Sequence, residues 1–307
     1  MAEEVTRADG ERRMLRVPRT PPYKLMLVGA AAIWGGSFVV LKGALDVVPP
    51  SWLLGIRFVL AGLVLGIVLH RRVAERLDRG HVLAGVALGL AGGTAYLVQN
   101  IGLVYTTPGH NAFLTATYCV MVPFLHWVVA HVRPRLANLA AAVLALAGVG
   151  LLSLEGGTLA LGLGDWLTLV AAFWYAVQIE VMVAVATGRD VGVCTVVEFF
   201  VMGAVCLAYG ACAEPFPPTS VFAGWEFWGQ IAYLVLLASC VCILWQNLGQ
   251  AHVPPAQASL LMSLESVFGV AFSVLIYGEP LTVQLGVGFA LVFGAVLLSE
   301  LAPGRPR

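Results

Sequence analysis

Ten long apolar runs dominate the chain, at residues 24–42, 52–69, 81–103, 111–130, 136–153, 165–186, 193–212, 226–249, 256–277 and 282–300. Each meets or approaches the ~20 helical residues that a hydrocarbon slab ~30 Å thick requires. Turn chemistry separates them: Pro49-Pro50-Ser51, Thr107-Pro108-Gly109, Gly156-Gly157, the prolines from Pro215 to Pro218, Pro254-Pro255 and Gly278-Glu279-Pro280. The runs lack the period-two alternation of a membrane β-barrel. The pattern predicts an all-α polytopic membrane protein with ten transmembrane helices.

Composition sharpens this. Of 307 residues, 60% are hydrophobic and 11% charged, with a mean hydropathy of +0.89. No water-soluble fold of this size hides so much apolar surface. Zero net charge and the apolar bias exclude disorder and a basic nucleic-acid face. The six cysteines, Cys119, Cys194, Cys206, Cys212, Cys240 and Cys242, show neither CxxC nor metal spacing. They read as buried thiols.

The charges set an orientation. With the N-terminus inside, fifteen of the seventeen Lys and Arg fall on the inner side: the polar tail through Lys24, Arg71, Arg72, Arg76, Arg79, Arg133, Arg135, Arg189 and the C-terminal end. Only Lys42 lies outside, and Arg57 lies within a span. The positive-inside rule then places both termini in the cytoplasm, and the plasma membrane is the expected location. Residues 1–23 are a cytoplasmic tail rather than a signal peptide, and 301–307 a second one.

The chain repeats itself. Gln99-Asn100-Ile101-Gly102 and Gln246-Asn247-Leu248-Gly249 stand 147 residues apart, and that offset gives six identities in the 22 positions from Gln99 to Val120, among them Pro108 with Pro255 and Leu114 with Leu261. Ala31-Ala32-Ile33-Trp34 matches Ala171-Ala172-Phe173-Trp174, and Arg57-Phe58 falls opposite Glu198-Phe199. The repeats are expected over 24–155 and 165–300. Five helices is an odd number, so the second copy enters the membrane from the opposite side. Inverted repeats of this kind characterise transporters, with substrate near the midplane between the halves.

These residues resemble a known family. Trp34-Gly35-Gly36-Ser37-Phe38, Gln99-Asn100-Ile101-Gly102-Leu103 with Tyr105-Thr106-Thr107 and Asn111-Ala112-Phe113-Leu114-Thr115, and Gly278-Glu279-Pro280-Leu281-Thr282 before a glycine-bearing last run are similar to the EamA branch of the drug/metabolite transporter superfamily. The first half departs from it, with Val132-Arg133-Pro134-Arg135 where the second has its Gly-Glu-Pro-Leu turn. The resemblance implies a central cavity formed by helices 1–4 and 6–9, with helices 5 and 10 peripheral. It also implies export of a small metabolite, amino acid or toxic compound.

Ionisable groups inside spans cost about 2.5–3.5 kcal/mol at the centre and are functional candidates. Glu265 lies about nine residues into its span, ~13–14 Å deep at 1.5 Å per residue. There it can exchange protons or hold a substrate ammonium, or else stay protonated against a neighbouring helix. Its repeat mate is Tyr118, which continues a stripe with Asn111 and Thr115 at i, i+4, i+7. That stripe lines a cavity or bonds neighbouring helices. Arg57 binds a substrate carboxylate or snorkels as a structural cation. Trp34 and its mate Trp174 form pocket walls or core, and Gln178 shares the Trp174 face one turn on. Glu180 and Glu198 are assigned structural roles, and Ser259, Ser263 and Ser266 a close helix contact. Gln99, Asn100, Gln246 and Asn247 cap or bond helices, with gating the sharper alternative. Pro123 bends its helix.

Among function classes, a secondary transporter working by alternating access fits best, with small-molecule substrate, lipid bilayer and protons as partners and a homodimer as the candidate assembly. An uncoupled channel would differ by its conductance. An intramembrane enzyme lacks support: no GxSxG, HExxH or paired intramembrane aspartates occur, nor a Walker A sequence. No cofactor or metal is expected.

Overall fold

The computed structural model describes residues 22–106, 108–153, 161–277 and 283–301. Thr107, the Gly156-Gly157 connection, the Gly278-Glu279-Pro280-Leu281-Thr282 turn and most of both tails lie outside these residues. The described chain is helical: α1 (Tyr23–Leu45), α2 (Pro50–Val68), α3 (His70–Arg76), α4 (Arg79–Val104), α5 (Pro108–Ala116), α6 (Tyr118–Ala130), α7 (Leu136–Ser153), α8 (Leu163–Val185), α9 (Val191–Ala213), α10 (Trp225–Val235), α11 (Cys242–His252), α12 (Pro255–Met262), α13 (Leu264–Tyr277) and α14 (Val283–Leu301).

Among the described residues, five helical segments are long and apolar enough to cross a membrane: Pro50–Val68, Arg79–Val104, Leu163–Val185, Val191–Ala213 and the continuous Trp225–His252. Leu114–Ala130, Leu136–Gly148 and Gly286–Leu298 are shorter apolar stretches. Apolar side chains also cover the outer surface, among them Ile67, Val68, Trp166 and Phe293, as a helix bundle facing lipid requires.

The helix ends follow local chemistry. Pro50 and Pro255 occupy first-turn positions of α2 and α12, where their missing N–H costs nothing. Asp78 caps α4 by accepting from the His81 N–H at 2.8 Å, and Asp190 caps α9 by accepting from Gly192 at 3.0 Å.

Three interruptions were not legible in the apolar pattern. Between α5 and α6, the Thr117 hydroxyl donates to the Leu114 carbonyl at 2.6 Å and its N–H bonds the same carbonyl at 3.2 Å. Between α12 and α13, Ser263 repeats the device, its hydroxyl donating to Leu260 at 2.7 Å. A hydroxyl that bonds back into the preceding turn competes with the helical ladder, and both breaks fall at equivalent places in the two halves. The third is a π-turn over Leu236–Val241, joining α10 to α11.

The packing respects the repeat. α4 lies on α8 while its mate α11 lies on α1; α5–α6 packs on α8 while α12–α13 packs on α1. α2 meets α9, and α7 meets α14. Exchanging the halves leaves this pattern unchanged. Backbones approach closely where side chains vanish: a Cβ on Gly35 would lie 2.6 Å from the Gly269 nitrogen, and one on Gly102 2.9 Å from the Gly164 carbonyl.

Candidate substrate chamber

The fold brings two hydrogen-bonded polar layers between the helices, one towards each end of the bundle. At the arginine-poor end, Gln99 Nε2 donates to Thr115 Oγ1 at 2.8 Å, and Asn111 Nδ2 donates to Thr168 Oγ1 at 2.8 Å and to the Gln99 carbonyl at 3.2 Å. The Tyr175 hydroxyl joins this layer by donating to Gln99 Oε1 at 2.6 Å. At the arginine-rich end, Gln246 Nε2 donates to Gln178 Oε1 at 3.0 Å, and Gln178 Nε2 to Asn247 Oδ1 at 3.2 Å. Asn247 Nδ2 donates onward to Thr195 Oγ1 at 2.9 Å and to Glu198 Oε2 at 2.5 Å. Gln99 and Gln246, repeat mates, occupy corresponding places in the two layers. Along α8, Thr168 and Gln178 are ten residues apart, a separation of ~15 Å.

A small cavity opens on the arginine-rich layer. Gly92 and Tyr96 of α4, Tyr175 and Gln178 of α8, Glu198 of α9, and Ile243 and Gln246 of α11 line it. Its volume is about 10 Å³, room for about one water. Gly92 leaves this space because it has no side chain, and Glu198 Oε1 lies 3.6 Å from where its Cβ would be. Tyr96 lies edge-on to Phe58 at 5.2 Å, and the Arg57 guanidinium carbon stands 5.6 Å from its ring centroid. Tyr175, edge-on to Tyr96 at 5.3 Å, is within reach of Glu265, Arg57 and Tyr118.

The candidate residues separate on this frame. Gln178 lies on the cavity wall. Asn111 and Thr115 bond neighbouring helices in the arginine-poor layer. Tyr118 is buried with its hydroxyl unpartnered and lies within reach of Glu265. Glu265 is itself 6% exposed, and its carboxylate makes no hydrogen bond among the described residues. It stands in the first turn of α13, just past the Ser263 break. Trp34 is buried and donates from Nε1 to the Ala238 carbonyl at 2.8 Å. Trp174 is only half-buried, edge-on to Phe173, and does not line the cavity.

Arg57 is 2% exposed and does not snorkel. Nε donates to Ser239 Oγ at 2.7 Å and Nη2 to the Ala238 carbonyl at 2.9 Å. Its guanidinium carbon lies 5.2 Å from the Phe58 ring centroid and 5.6 Å from that of Tyr96. The i→i+5 ladder of the π-turn aims the Ala238 carbonyl at α1 and α2, where Trp34 and Arg57 share it. π-turns recur at functional sites.

Tyr96, Tyr175, Glu198 and Gln246 were not singled out for the chamber from sequence. A signal existed in the stripe Gly92, Tyr96, Gln99 at i, i+4, i+7 along α4. Glu180 is bonded away from the chamber, accepting from His126 Nδ1 at 2.9 Å. Ser266 ties α13 to α5 through the Ala112 carbonyl at 3.1 Å. Among the described residues no group of three His, Cys, Asp or Glu is arranged to hold a metal.

A two-repeat helical bundle with a polar interior is the architecture of a membrane carrier. The chain matches the EamA-like transporter family twice, over residues 22–154 and 162–301. It belongs to that family and is a multi-pass membrane transporter. An uncharacterized transporter of Archaeoglobus fulgidus is 28% identical over 283 residues, covering 90% of this chain and 85% of the relative. A Chlamydia muridarum protein named S-adenosylmethionine/S-adenosylhomocysteine transporter is 36% identical over 102 residues, 30% of this chain and 31% of its own length. A solved crystal structure superposes with a TM-score of 0.76 at 17% identity, over 91% of this chain and 96% of that one, and shares the fold.

Proposed function

We propose that this protein is a secondary transporter of ten spans in two inverted five-helix repeats, residues 24–155 and 165–300. It exports a small metabolite, amino acid or toxic compound across the plasma membrane by alternating access, with both termini cytoplasmic and protons as the coupling ion. The observation that carries this is the pair of polar layers built around the repeat mates Gln99 and Gln246. With both made, the space between them is closed towards each end. Breaking one layer while the other holds opens the chamber to one side, which is alternating access in terms of hydrogen bonds. Apart from the Asn247–Glu198 bond, the layers join amides and hydroxyls, and such bonds contribute only ~1 kcal/mol net apiece. A layer can therefore open at a cost that rocking of the halves can meet.

Tyr118 and Glu265 stand at the starts of the helices that follow the breaks at Thr117 and Ser263, and we assign both to the substrate path. Discontinuous helices of this sort hold substrate and coupling ions in carriers. Glu265, unpartnered and out of water, is the group we assign to proton exchange or to a substrate ammonium. Tyr96, Tyr175, Gln178 and Glu198 supply the chamber wall.

The test is purified protein in vesicles, with and without a proton gradient, offered a solute panel that includes S-adenosylmethionine as one arm. At least one solute moves, its flux follows the gradient, and Glu265→Gln removes the gradient dependence. Unchanged, gradient-dependent flux in Glu265→Gln across a pH series removes the proton role. Absence of flux for every solute removes the carrier reading, and conductance far above carrier turnover replaces it with a channel.

A further inference from the structure

Arg57 presents an imbalance that the protein does not resolve. A buried guanidinium carries a full charge and five N–H donors in a rigid fork. Its contacts are Ser239, the Ala238 carbonyl and the rings of Phe58 and Tyr96, and it forms no ion pair with a carboxylate among the described residues. Its repeat mate Glu198 is engaged by Asn247 in the opposite layer. Burying a cation without a counter-charge is costly, and two hydrogen bonds with two ring faces offset only part of that cost.

The arrangement of those bonds shows which edge is spent. Nε and Nη2 form the side edge of the guanidinium, and adjacent acceptors on the π-turn, Ser239 Oγ and the Ala238 carbonyl, take one bond from each. The end edge, formed by Nη1 with the second N–H of Nη2, makes no hydrogen bond to any described residue. The ring faces at Phe58 and Tyr96 fix the plane of the fork. Ser239 is held in turn, its hydroxyl donating to the Leu234 carbonyl at 2.8 Å, and Trp34 holds Ala238. The guanidinium is thus locked by its side edge with its end edge unused, beside a tyrosine that lines the cavity.

We propose that this end edge is an anion subsite of the transport chamber. It receives a carboxylate or phosphate group of the solute, bidentate, once one polar layer opens. Two parallel charge-assisted bonds suit a guanidinium fork to a planar or tetrahedral oxyanion. Ser239, Ala238 and Trp34 are positioning groups that aim it. The proposal rests on the transporter reading for its place in the cycle, but its test does not require flux.

The probes are benzoate, phenyl phosphate and benzamide, which share a ring suited to the tyrosine-lined wall and differ in charge. Binding to purified protein in detergent is followed by thermal stabilisation and by the Trp34 contribution to fluorescence, taken as the difference from Trp34→Phe. The expected result is an apparent affinity at least tenfold higher for benzoate or phenyl phosphate than for benzamide. Which of the two anions is preferred identifies the group recognised. Arg57→Gln abolishes the preference, and Arg57→Lys retains a part of it, as charge without the fork. Ser239→Ala reduces anion affinity severalfold and leaves benzamide unchanged. Equal binding of all three probes by the wild-type protein overturns the subsite, whether or not the Arg57 variants fold. An anion preference surviving in folded Arg57→Gln also overturns it. Flux without anion preference sinks this subsite alone, and anion binding without flux of any solute sinks the carrier reading alone.

Discussion

At the scale of the single residue, the two acidic groups nearest the chamber differ in their partners, and that difference predicts opposite responses to mutation. Glu198 accepts from Asn247 and lies beside Gln178. Asn247→Leu keeps the branched outline with some added bulk but strips donors from both Glu198 and Thr195, leaving a buried carboxyl short of a bond. The expected loss is about 1–3 kcal/mol, read as a lower melting temperature of the purified protein. Glu265 has no hydrogen bond to lose. Glu265→Gln therefore removes a buried titratable group without breaking a hydrogen bond, and its melting temperature stays near the wild-type value while gradient-dependent flux disappears. A large destabilisation would show that the carboxylate holds the fold instead. The burial of Glu265 was legible in the sequence because it lies deep in a long apolar run. Glu198, assigned a structural role from sequence, accepts a hydrogen bond from Asn247 and also lines the cavity. Its distance from the end of its run says how deep it lies but not which neighbour has a glycine opposite it, and Gly92 creates the space it faces.

At the scale of the element, the apolar runs located the helices to within a few residues, because lipid length and turn residues act locally. The breaks at Thr117 and Ser263 and the π-turn were not legible. Each depends on a hydroxyl choosing a carbonyl in its own helix, and that choice is made by packing. Packing also decides Gly35, whose Cβ would meet backbone atoms of α13 at 2.6 and 2.8 Å. Backbone cannot yield as a side-chain tip can. Gly35→Ala is thus expected to push α1 off α13, cost about 1–3 kcal/mol as overpacking does, and lower flux severalfold. Gly229, with nothing near its Cβ position, is the control, and Gly229→Ala leaves both properties unchanged. The loop before α4 gives a pH test. Backbone and side-chain hydrogen bonds from His81 hold the Asp78 carboxyl below its ordinary value. A carboxyl with a depressed folded value stabilises the protein above its unfolded value and loses that contribution as pH falls through the folded one. Asp78→Ala therefore melts lower than wild type at neutral pH, and the gap closes in strong acid. A gap independent of pH would mean that the carboxylate does not act as the cap.

At the scale of the whole molecule, contact pattern and charge can be set against each other. Exchanging the halves preserves which helix meets which, yet the polar chemistry is not symmetric. Both layers draw on α8, through Thr168 and Tyr175 at one end and Gln178 at the other, whereas its mate α1 joins neither among the bonds described. The mates Arg57 and Glu198 carry opposite charges. Shared backbone geometry therefore carries divergent side chains, and in the proposed alternating-access cycle the two layers act as gates of similar construction but unlike charge. Which gate faces the cytoplasm is set by charge: Arg71, Arg72, Arg76, Arg133, Arg135 and Arg189 gather at one end, where Arg76 bridges to Asp190 at 2.9 Å across the halves. That end is expected to be cytoplasmic. Cys212, exposed near the end of α9 at the opposite side, provides a native probe. In intact cells a membrane-impermeant maleimide labels Cys212. In a Cys212→Ser background, Arg133→Cys is labelled only after the membrane is permeabilised. Labelling of Arg133→Cys in intact cells together with protection of Cys212 would turn the molecule over, and the assigned direction of transport would have to be re-derived with it. Labelling of both from one side would separate the halves from their inverted relation and remove the basis for two opposed gates.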